Sequence, residues 1–402
     1  MTPACALPKI PIARPCFADD APRALAEALK SGWVSQGPLV QAFEDAIAAR
    51  AGAAYAVATT SWTTAFHLAL LLHGIGPGDD VLCPSYSFIA TANVIRHVGA
   101  TPRFVDIDPQ TLNLDAATAE AVILAHYRPG ADGRWRHGES GGQLRAILGV
   151  HQIGMPFDID ALAALAERYG LDLLEDSACA LGSEYKGRPV GASGFCGAFS
   201  FHPRKIITTG EGGMLLLADD KQAERARRLR LHGMSLSDLA RHGAGSTVYE
   251  TYPEVGYNYK LTDLQAALGL SQLAQLDDFL AQRQAIARRY DADLGALPGV
   301  SALTPPPYVS CWNAQSYPVR LLGADERQRD AAMRALDEAG VATRRGIPPI
   351  HLQAAYDEGA ISLPMSEAVS RESFFLPIYP GLSANELDRI VEAAVRAIRA
   401  VS

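Results

Sequence analysis

Residues 81–108 read VLCPSYSFIATANVIRHVGATPRFVDID, and this stretch decides the fold. A short apolar run, VLCPS, gives way to a segment of helical period, FIATANVIRHVG, and then to a second short run, TPRFVDID. Two strands joined through a helix lie parallel, whereas a tight turn returns the chain antiparallel. The alternation continues in RAILGVH, DALAALAERYG and LDLLEDSA. The sequence therefore predicts an α/β protein with a mostly parallel central sheet wrapped by helices. The runs close in turn or polar residues, at Pro84-Ser85, Asp106-Ile107-Asp108 and Glu175-Asp176, and ligands of open α/β sheets collect at such carboxyl ends.

Further along, the pattern changes. A helical run spans Leu261 to Leu294 and leads to the Pro-rich SALTPPPYVS. Beyond it come VRLL, a helix around ADERQRDAAMRALDEAG, the VATRRGIPP turn and a final helix near SANELDRIVEAAVRAIRAV. This divides the chain into a large domain, residues 1–270 with the N-terminal segment included, and a smaller C-terminal α+β domain, residues 271–402, joined by a long helix. Residues 128–142, RPGADGRWRHGESGG, are rich in glycine and charge and read as an inserted surface loop, either simply solvated or closing over a substrate as a lid.

With 402 residues and 48% hydrophobic composition, the chain can bury an extensive core. A net charge of -8 and scattered cations speak against nucleic-acid binding; the cluster Arg225, Arg227, Arg228 and Arg230 reads as one solvated helix face. The cysteines, Cys5, Cys16, Cys83, Cys179, Cys196 and Cys311, form no C-x-x-C pair and suggest buried thiols in a reducing compartment and no metal site. MTPACALPKIPIARP lacks the apolar run of a signal peptide, and no window approaches a membrane span. A soluble, cytoplasmic protein is expected.

Residues 197–213, GAFSFHPRKIITTGEGG, carry one lysine, Lys205, between Ser-Phe-His and a glycine-rich turn. A lysine amine in such a setting is a nucleophile toward carbonyls, and the aldehyde of pyridoxal phosphate is its best-known partner. That cofactor calls for a carboxylate beside its ring nitrogen, backbone amides and hydroxyls for its phosphate, and an apolar slab on its ring. Asp176, ending the run LDLLED, supplies the first. Thr60-Ser61-Trp62-Thr63, where a short strand breaks into a helix, supplies the second. Phe88 or Tyr86, just after VLCPS, supplies the third. Taken singly, each has a plainer reading, as a helix cap or a core aromatic; the combination points to the cofactor. His202, near Lys205, reads either as an acid-base group or as a packed histidine, and His151 reads as structural. The glycines of TTGEGG are expected to take special backbone angles, with Glu211 fixing the turn.

Seven blocks, WVSQGPLVQAFEDAIAA, TSWTTAFHLALLLHGIGPGDDVLCPSYSFIATANVI, GATPRFVDIDPQTLNLD, LLEDSACALGSEYKG, FSFHPRKIITTGEGGMLL, GYNYKLTDLQAALGLSQL and FLPIYPGLSANELDRIV, resemble the DegT/StrS (DnrJ-type) family of pyridoxal-phosphate aminotransferases, in the family's order. The resemblance implies a type I aminotransferase fold, a homodimer with shared active sites, and transfer of an amino group, commonly from glutamate, to the keto carbon of a nucleotide-linked sugar, with pyridoxamine phosphate as the intermediate form of the cofactor. It makes Lys205 the cofactor-linking lysine, Asp176 the partner of the ring nitrogen, Ser200 and Thr63 phosphate contacts, and Phe88 the ring-stacking aromatic. Asn258, with Lys260 as a cationic second candidate, matches a residue that reaches the phosphate of the neighbouring subunit. Two positions depart from the family. Trp62 stands where a small residue is usual, leaving its amide as the contribution, and Cys179 stands where glutamine or histidine approaches the cofactor's phenolic oxygen. A cyclitol or other cyclic ketone is the alternative acceptor. A non-catalytic regulator on the same fold would call for a DNA-binding segment, and none is visible. Lys205 speaks against the relatives that have lost the lysine and act as dehydratases. A nucleotide-dependent oxidoreductase is disfavoured because no G-x-G-x-x-G fingerprint occurs.

Overall fold

The computed structural model describes residues 8–194, 196–236, 249–356 and 361–401, so Cys5 lies outside the described residues. Two N-terminal helices, α1 (Ala21–Ser31) and α2 (Pro38–Ala51), precede the first strand, β1 (Tyr55–Thr59). There follow α3 (Trp62–Leu72), β2 (Asp79–Pro84), α4 (Ala90–His97), β3 (Thr101–Val105) and α5 (Ala116–His126). After the short strands β4 (Tyr127–Pro129) and β5 (Trp135–His137) come β6 (Gln143–Val150), α6 (Ile159–Tyr169) and β7 (Asp172–Asp176). The hairpin β8 (Glu184–Tyr185) and β9 (Arg188–Pro189) leads to β10 (Cys196–Ser200), β11 (Gly213–Leu217) and α7 (Asp220–Arg230).

The main path of the central sheet runs β1-β11-β10-β7-β6-β2-β3. From β10 to β3 every neighbouring pair is parallel, as the strand-helix alternation requires, while β11 is antiparallel to both its neighbours. The antiparallel strand arises because residues 201–212 return from β10 without a crossover helix. The predicted α/β class with a mostly parallel sheet holds, and so does the type I aminotransferase fold.

Two polar devices fix the edge of the sheet where β1 enters. Glu44 on α2 accepts the Ala58 amide at 2.8 Å and pairs with Arg230 on α7, and Arg230 donates to the Ala58 carbonyl at 2.7 Å. Both charges are buried, and they are tolerated because each is paired and hydrogen-bonded. At the start of α2 no side chain of its own caps the helix; the buried Asp263 receives the amides of Gly37, Leu39 and Val40 instead.

Residues after 270 build a second sheet, β12 (Val300–Ser301), β14 (Tyr317–Leu321), β16 (Ser373–Leu376) and β15 (Arg344–Arg345) in spatial order, backed by helices Glu326–Glu338 and Ala384–Arg399. β13 (Val309–Cys311) pairs with β8. The apolar side chains of this sheet form one cluster with Tyr86, Ile107 and Ile153, from loops at the carboxyl ends of the central strands, and with Ile10, whose backbone bridges Val341.

Three expectations need correction. Arg225, Arg227, Arg228 and Arg230 are not one solvated helix face, because Arg230 turns inward to the buried Glu44 while the other three stay partly exposed. The run Leu261–Leu294 is two helices, Asp263–Leu273 and Leu276–Leu294. Thr262 caps the first, and the break follows a tightened last turn in which the Gln275 amide bonds the Gln272 carbonyl, while Asp277 and Asp278 favour a new N-terminus. The segment 128–142 is not a plain loop. Its first part folds into the hairpin β4–β5, which joins the amino end of β6 through Arg136 and Gln143, and Trp135 packs edge-on against Tyr169 at 4.9 Å. That places it at the end of β6 opposite Val150, and none of its residues lines its own chain's pocket described below, so this segment forms no lid over the site of the same chain.

Candidate active site

Residues that follow β1, β2, β6, β7 and β10 converge on one pocket of about 540 Å³, closed on its other side by Ile12-Ala13, Gln315-Ser316 and the β15 segment. Lys205 enters it from the return loop between β10 and β11. This loop is closed on itself: Phe201 exchanges backbone bonds with Gly212 and Thr209, and Thr208 Oγ1 donates to the Phe201 carbonyl at 2.8 Å. Ile206 and Ile207 are buried and anchor it, so the preceding lysine is left facing the pocket. Lys205 Nζ lies 3.0 Å from Cys179 Sγ.

Asp176 ends β7, the middle strand, and is only 5% exposed. Burial pushes its carboxyl up; opposing this are the Ala178 amide at 3.1 Å, the Thr91 hydroxyl at 2.9 Å, and the charges of Lys205 and His151. Its neighbour Glu175 points to the other side of the strand. Burial pushes Glu175 up as well, but His151 at 3.0 Å and the amides of Gly191 and Gly194 win and hold it below the usual range. His151 is fully buried, stacked on Phe157 at 4.3 Å, with Nδ1 accepting the Phe157 amide.

The amino end of α3 forms the polar wall. Ser61 and Thr64 complete a capping box, which occupies the Ser61 and Thr64 amides and leaves those of Trp62 and Thr63 as first-turn donors at the positive end of the helix dipole. Gly213 of β11 passes directly behind this turn: a Cβ on it would sit 2.5 Å from the Trp62 nitrogen and closer still to Ser61. The indole of Trp62 turns inward, buried and stacked on Phe66 at 4.8 Å, so a bulky residue is accommodated at this turn without filling the pocket.

Of the two aromatics after β2, Tyr86 is buried in the core, whereas Phe88 lines the pocket and stays 68% exposed. Ser200 and His202 also line it. His202 accepts the Arg204 amide on Nδ1 at 3.2 Å, which leaves its proton on Nε2, 4.0 Å from Glu211. Burial holds its pKa below the ordinary value, with Glu211 opposing and Arg204 and Lys205 adding to the effect. Of the glycines in TTGEGG, only Gly210 has a special backbone angle, φ +82°; Gly212 and Gly213 are needed for close approach.

Within one chain, Asn258 does not reach the pocket. It is exposed, bridges Leu231 in backbone pairing and accepts from Lys260 Nζ at 2.5 Å. The flanking Tyr257 and Tyr259 stack on each other, and Tyr259 meets His67 of α3 at 3.1 Å. The sequence reading missed Thr91 and Ser87, although both stand within three residues of Phe88 in the quoted stretch.

Pyridoxal phosphate fits this donor set: an amine, a buried carboxylate kept supplied with donors, an exposed phenyl face and a helix N-terminus with hydroxyls beside it.

The sequence pattern of the DegT/DnrJ/EryC1/StrS aminotransferase family matches residues 15–395. The chain is 36% identical over 393 residues to the spore coat polysaccharide biosynthesis protein SpsC of Bacillus subtilis (strain 168), covering 96% of each. Among solved structures it is similar to the aminotransferase TlmJ from Streptoalloteichus hindustanus, at 33% identity and TM-score 0.85 over 98% of this chain and 99% of that one. It is also similar to Helicobacter pylori PseC, an aminotransferase involved in the biosynthesis of pseudoaminic acid, at 25% identity and TM-score 0.86 over 98% and 100%. With the lysine, the carboxylate and the helix turn meeting in one pocket, the chain belongs to the DegT/DnrJ/EryC1/StrS aminotransferase family and is a pyridoxal-phosphate-dependent aminotransferase.

Proposed function

We propose that this enzyme moves an amino group from glutamate to the keto carbon of a nucleotide-linked keto-deoxysugar, working as a homodimer with shared sites. The observation that carries the reading is the convergence of Lys205, Asp176 and the α3 turn on a pocket whose rim holds the exposed Arg204, Arg344 and Arg345. None of these three arginines forms an ion pair among the described residues, and a cationic mouth suits a dicarboxylic donor and a diphosphate-bearing acceptor in turn.

When bound, pyridoxal phosphate supplies an aldehyde that carries the amino group and a ring that draws electrons from the donor's α-carbon. Lys205 anchors the aldehyde carbon and, when its amine is free, moves a proton at the donor's α-carbon. Asp176 holds a proton at the ring nitrogen, which preserves the electron demand of the ring. The amides of Trp62 and Thr63, with the hydroxyls of Thr63 and Ser200, bind the phosphate, and Phe88 covers the ring. Cys179, beside Lys205, takes the place of the family's usual amide or imidazole. His202, neutral and with Nε2–H toward the pocket rim, is placed to donate to substrate. Asn258 of the partner subunit completes the phosphate site.

Purified enzyme supplied with glutamate and a panel of nucleotide-linked keto sugars and cyclitol ketones tests the reading, with products identified by mass. Amination of a nucleotide sugar is expected; amination of cyclitol ketones alone would overturn the acceptor assignment.

A further inference from the structure

A lone carboxylate on the middle strand of a sheet is driven toward its neutral form, and a neutral Asp176 cannot hold a charged ring nitrogen. One of its donors is local, since the Ala178 amide reaches Oδ1 across a two-residue turn. The other comes from a different element: Thr91, in the first turn of α4, donates its hydroxyl to Oδ2 at 2.9 Å. An ionised carboxylate only accepts, so the single Thr91 hydrogen is committed to Asp176, and the Thr91 oxygen takes the hydrogen of Ser87 Oγ at 2.8 Å. The hydroxyl chain therefore has a fixed polarity, Ser87 to Thr91 to Asp176. Both hydroxyl residues are buried, Ser87 at 2% and Thr91 at 1% exposure, at the wall of the pocket. Ser87 precedes Phe88 in the chain. Two residues earlier, Ser85 is clasped by His351 of the C-terminal unit, with Oγ to Nδ1 at 2.6 Å and the Ile350 amide on the Ser85 carbonyl at 2.9 Å.

Building on the reading of Asp176 as the ring-nitrogen partner, we propose that Thr91 is a positioning residue for transamination, keeping the Asp176 carboxylate ionised and aimed into the pocket and tying it to the loop that carries Phe88. Replacing Thr91 by valine keeps the volume but leaves Oδ2 and the Ser87 hydroxyl without their partner. The loss of one hydrogen bond to a buried charge is expected to slow the half-reaction with glutamate about ten- to a hundredfold.

A structural role alone would weaken every cofactor alike, so the deciding measurement is binding. Cofactor-free protein is titrated with pyridoxal phosphate and with its 1-deaza analogue, in which C–H replaces the ring nitrogen, following tryptophan fluorescence. Thr91→Val should weaken pyridoxal phosphate about tenfold or more and leave the analogue's affinity unchanged. Thr91→Ser, which retains the hydroxyl, should behave as wild type. Asp176→Asn is the reference: if it fails to discriminate between the two cofactors, the Asp176 reading itself is wrong. If Asp176→Asn discriminates and Thr91→Val weakens both cofactors equally or neither, the proposal is overturned. Ser87→Ala, which removes the donor to Thr91 without altering the helix, should give the same selective loss in smaller measure and keeps the test open should Thr91→Val not fold.

Discussion

Gly213→Ala adds one methyl group at the point where β11 passes behind the α3 turn, and its consequences can be worked out from distances. The new Cβ would lie 2.5 Å from the Trp62 nitrogen and closer to the Ser61 carbonyl group, where ordinary contact begins at 3.4 Å. Relief requires a displacement of about 1 Å. β11 cannot supply it, because Gly213 is registered against Thr59 of β1 on one side and Ser200 of β10 on the other. The Ser61–Trp62 turn must move instead. Hydrogen bonds hold over a range of only about 0.5 Å, so the Trp62 and Thr63 amides would leave the phosphate. At about 1.5–3 kcal/mol for each bond to a charged group, losing both weakens pyridoxal phosphate by about a hundredfold or more. Overpacking also lowers stability by about 1–3 kcal/mol. Titration of cofactor-free protein by absorbance, with a thermal melt alongside, measures both. Gly210→Ala is the contrast: its φ of +82° strains an alanine, but open space surrounds the Cβ, so the melt should fall while affinity changes little. A folded Gly213→Ala protein with wild-type affinity would refute the close-approach argument.

Other outcomes follow from the same geometry. Lys205→Ala should lose turnover and the visible band that glutamate bleaches in the wild type, while retaining cofactor through the phosphate turn; normal turnover would remove Lys205 from the centre of the mechanism. Asp176→Asn should slow the glutamate half-reaction about ten- to a hundredfold, and an unchanged stopped-flow rate would count against its role. His202 has its folded pKa lowered, so it is neutral at pH 7 and gains a proton only below its ordinary value of 6.5; any acid limb it contributes to the half-reaction should lie below that, and an inflection at higher pH that disappears in His202→Gln would contradict the placement. For the shared site, a heterodimer of Lys205→Ala with a chain altered at both Asn258 and Lys260 holds one intact site and one doubly defective site, and should recover about half of wild-type activity if each parent homodimer is low. Activity no higher than either parent would exclude crossing of Asn258 between subunits.

The parallel sheet was legible because its strands and helices differ in period within a few residues, as in VLCPS and FIATANVIRHVG. The antiparallel β11 was not, since GMLLL carries no mark of direction, and the reversal depends on a return loop closed by Phe201, Thr208 and Gly212. The hairpin β4–β5 was hidden by strands of three residues, too short to show alternation.

The sequence alone determined the α/β class, the candidate lysine and carboxylate, and the candidate helix turn, because each rests on local pattern or on blocks that keep their order along the chain. Tertiary structure decided what those groups meet. It put Phe88, the aromatic the resemblance favours, at the pocket and Tyr86 in the core, and sent the Trp62 indole inward. It also moved residues 128–142 to the far end of β6 and left Asn258 outside its own chain's pocket. Thr91 and Asp176 are 85 positions apart, and nothing in either neighbourhood announces the other. Their hydrogen bond exists only because the first turn of α4 and the end of β7 meet at the carboxyl ends of the central strands, a long-range contact that local periodicity does not encode.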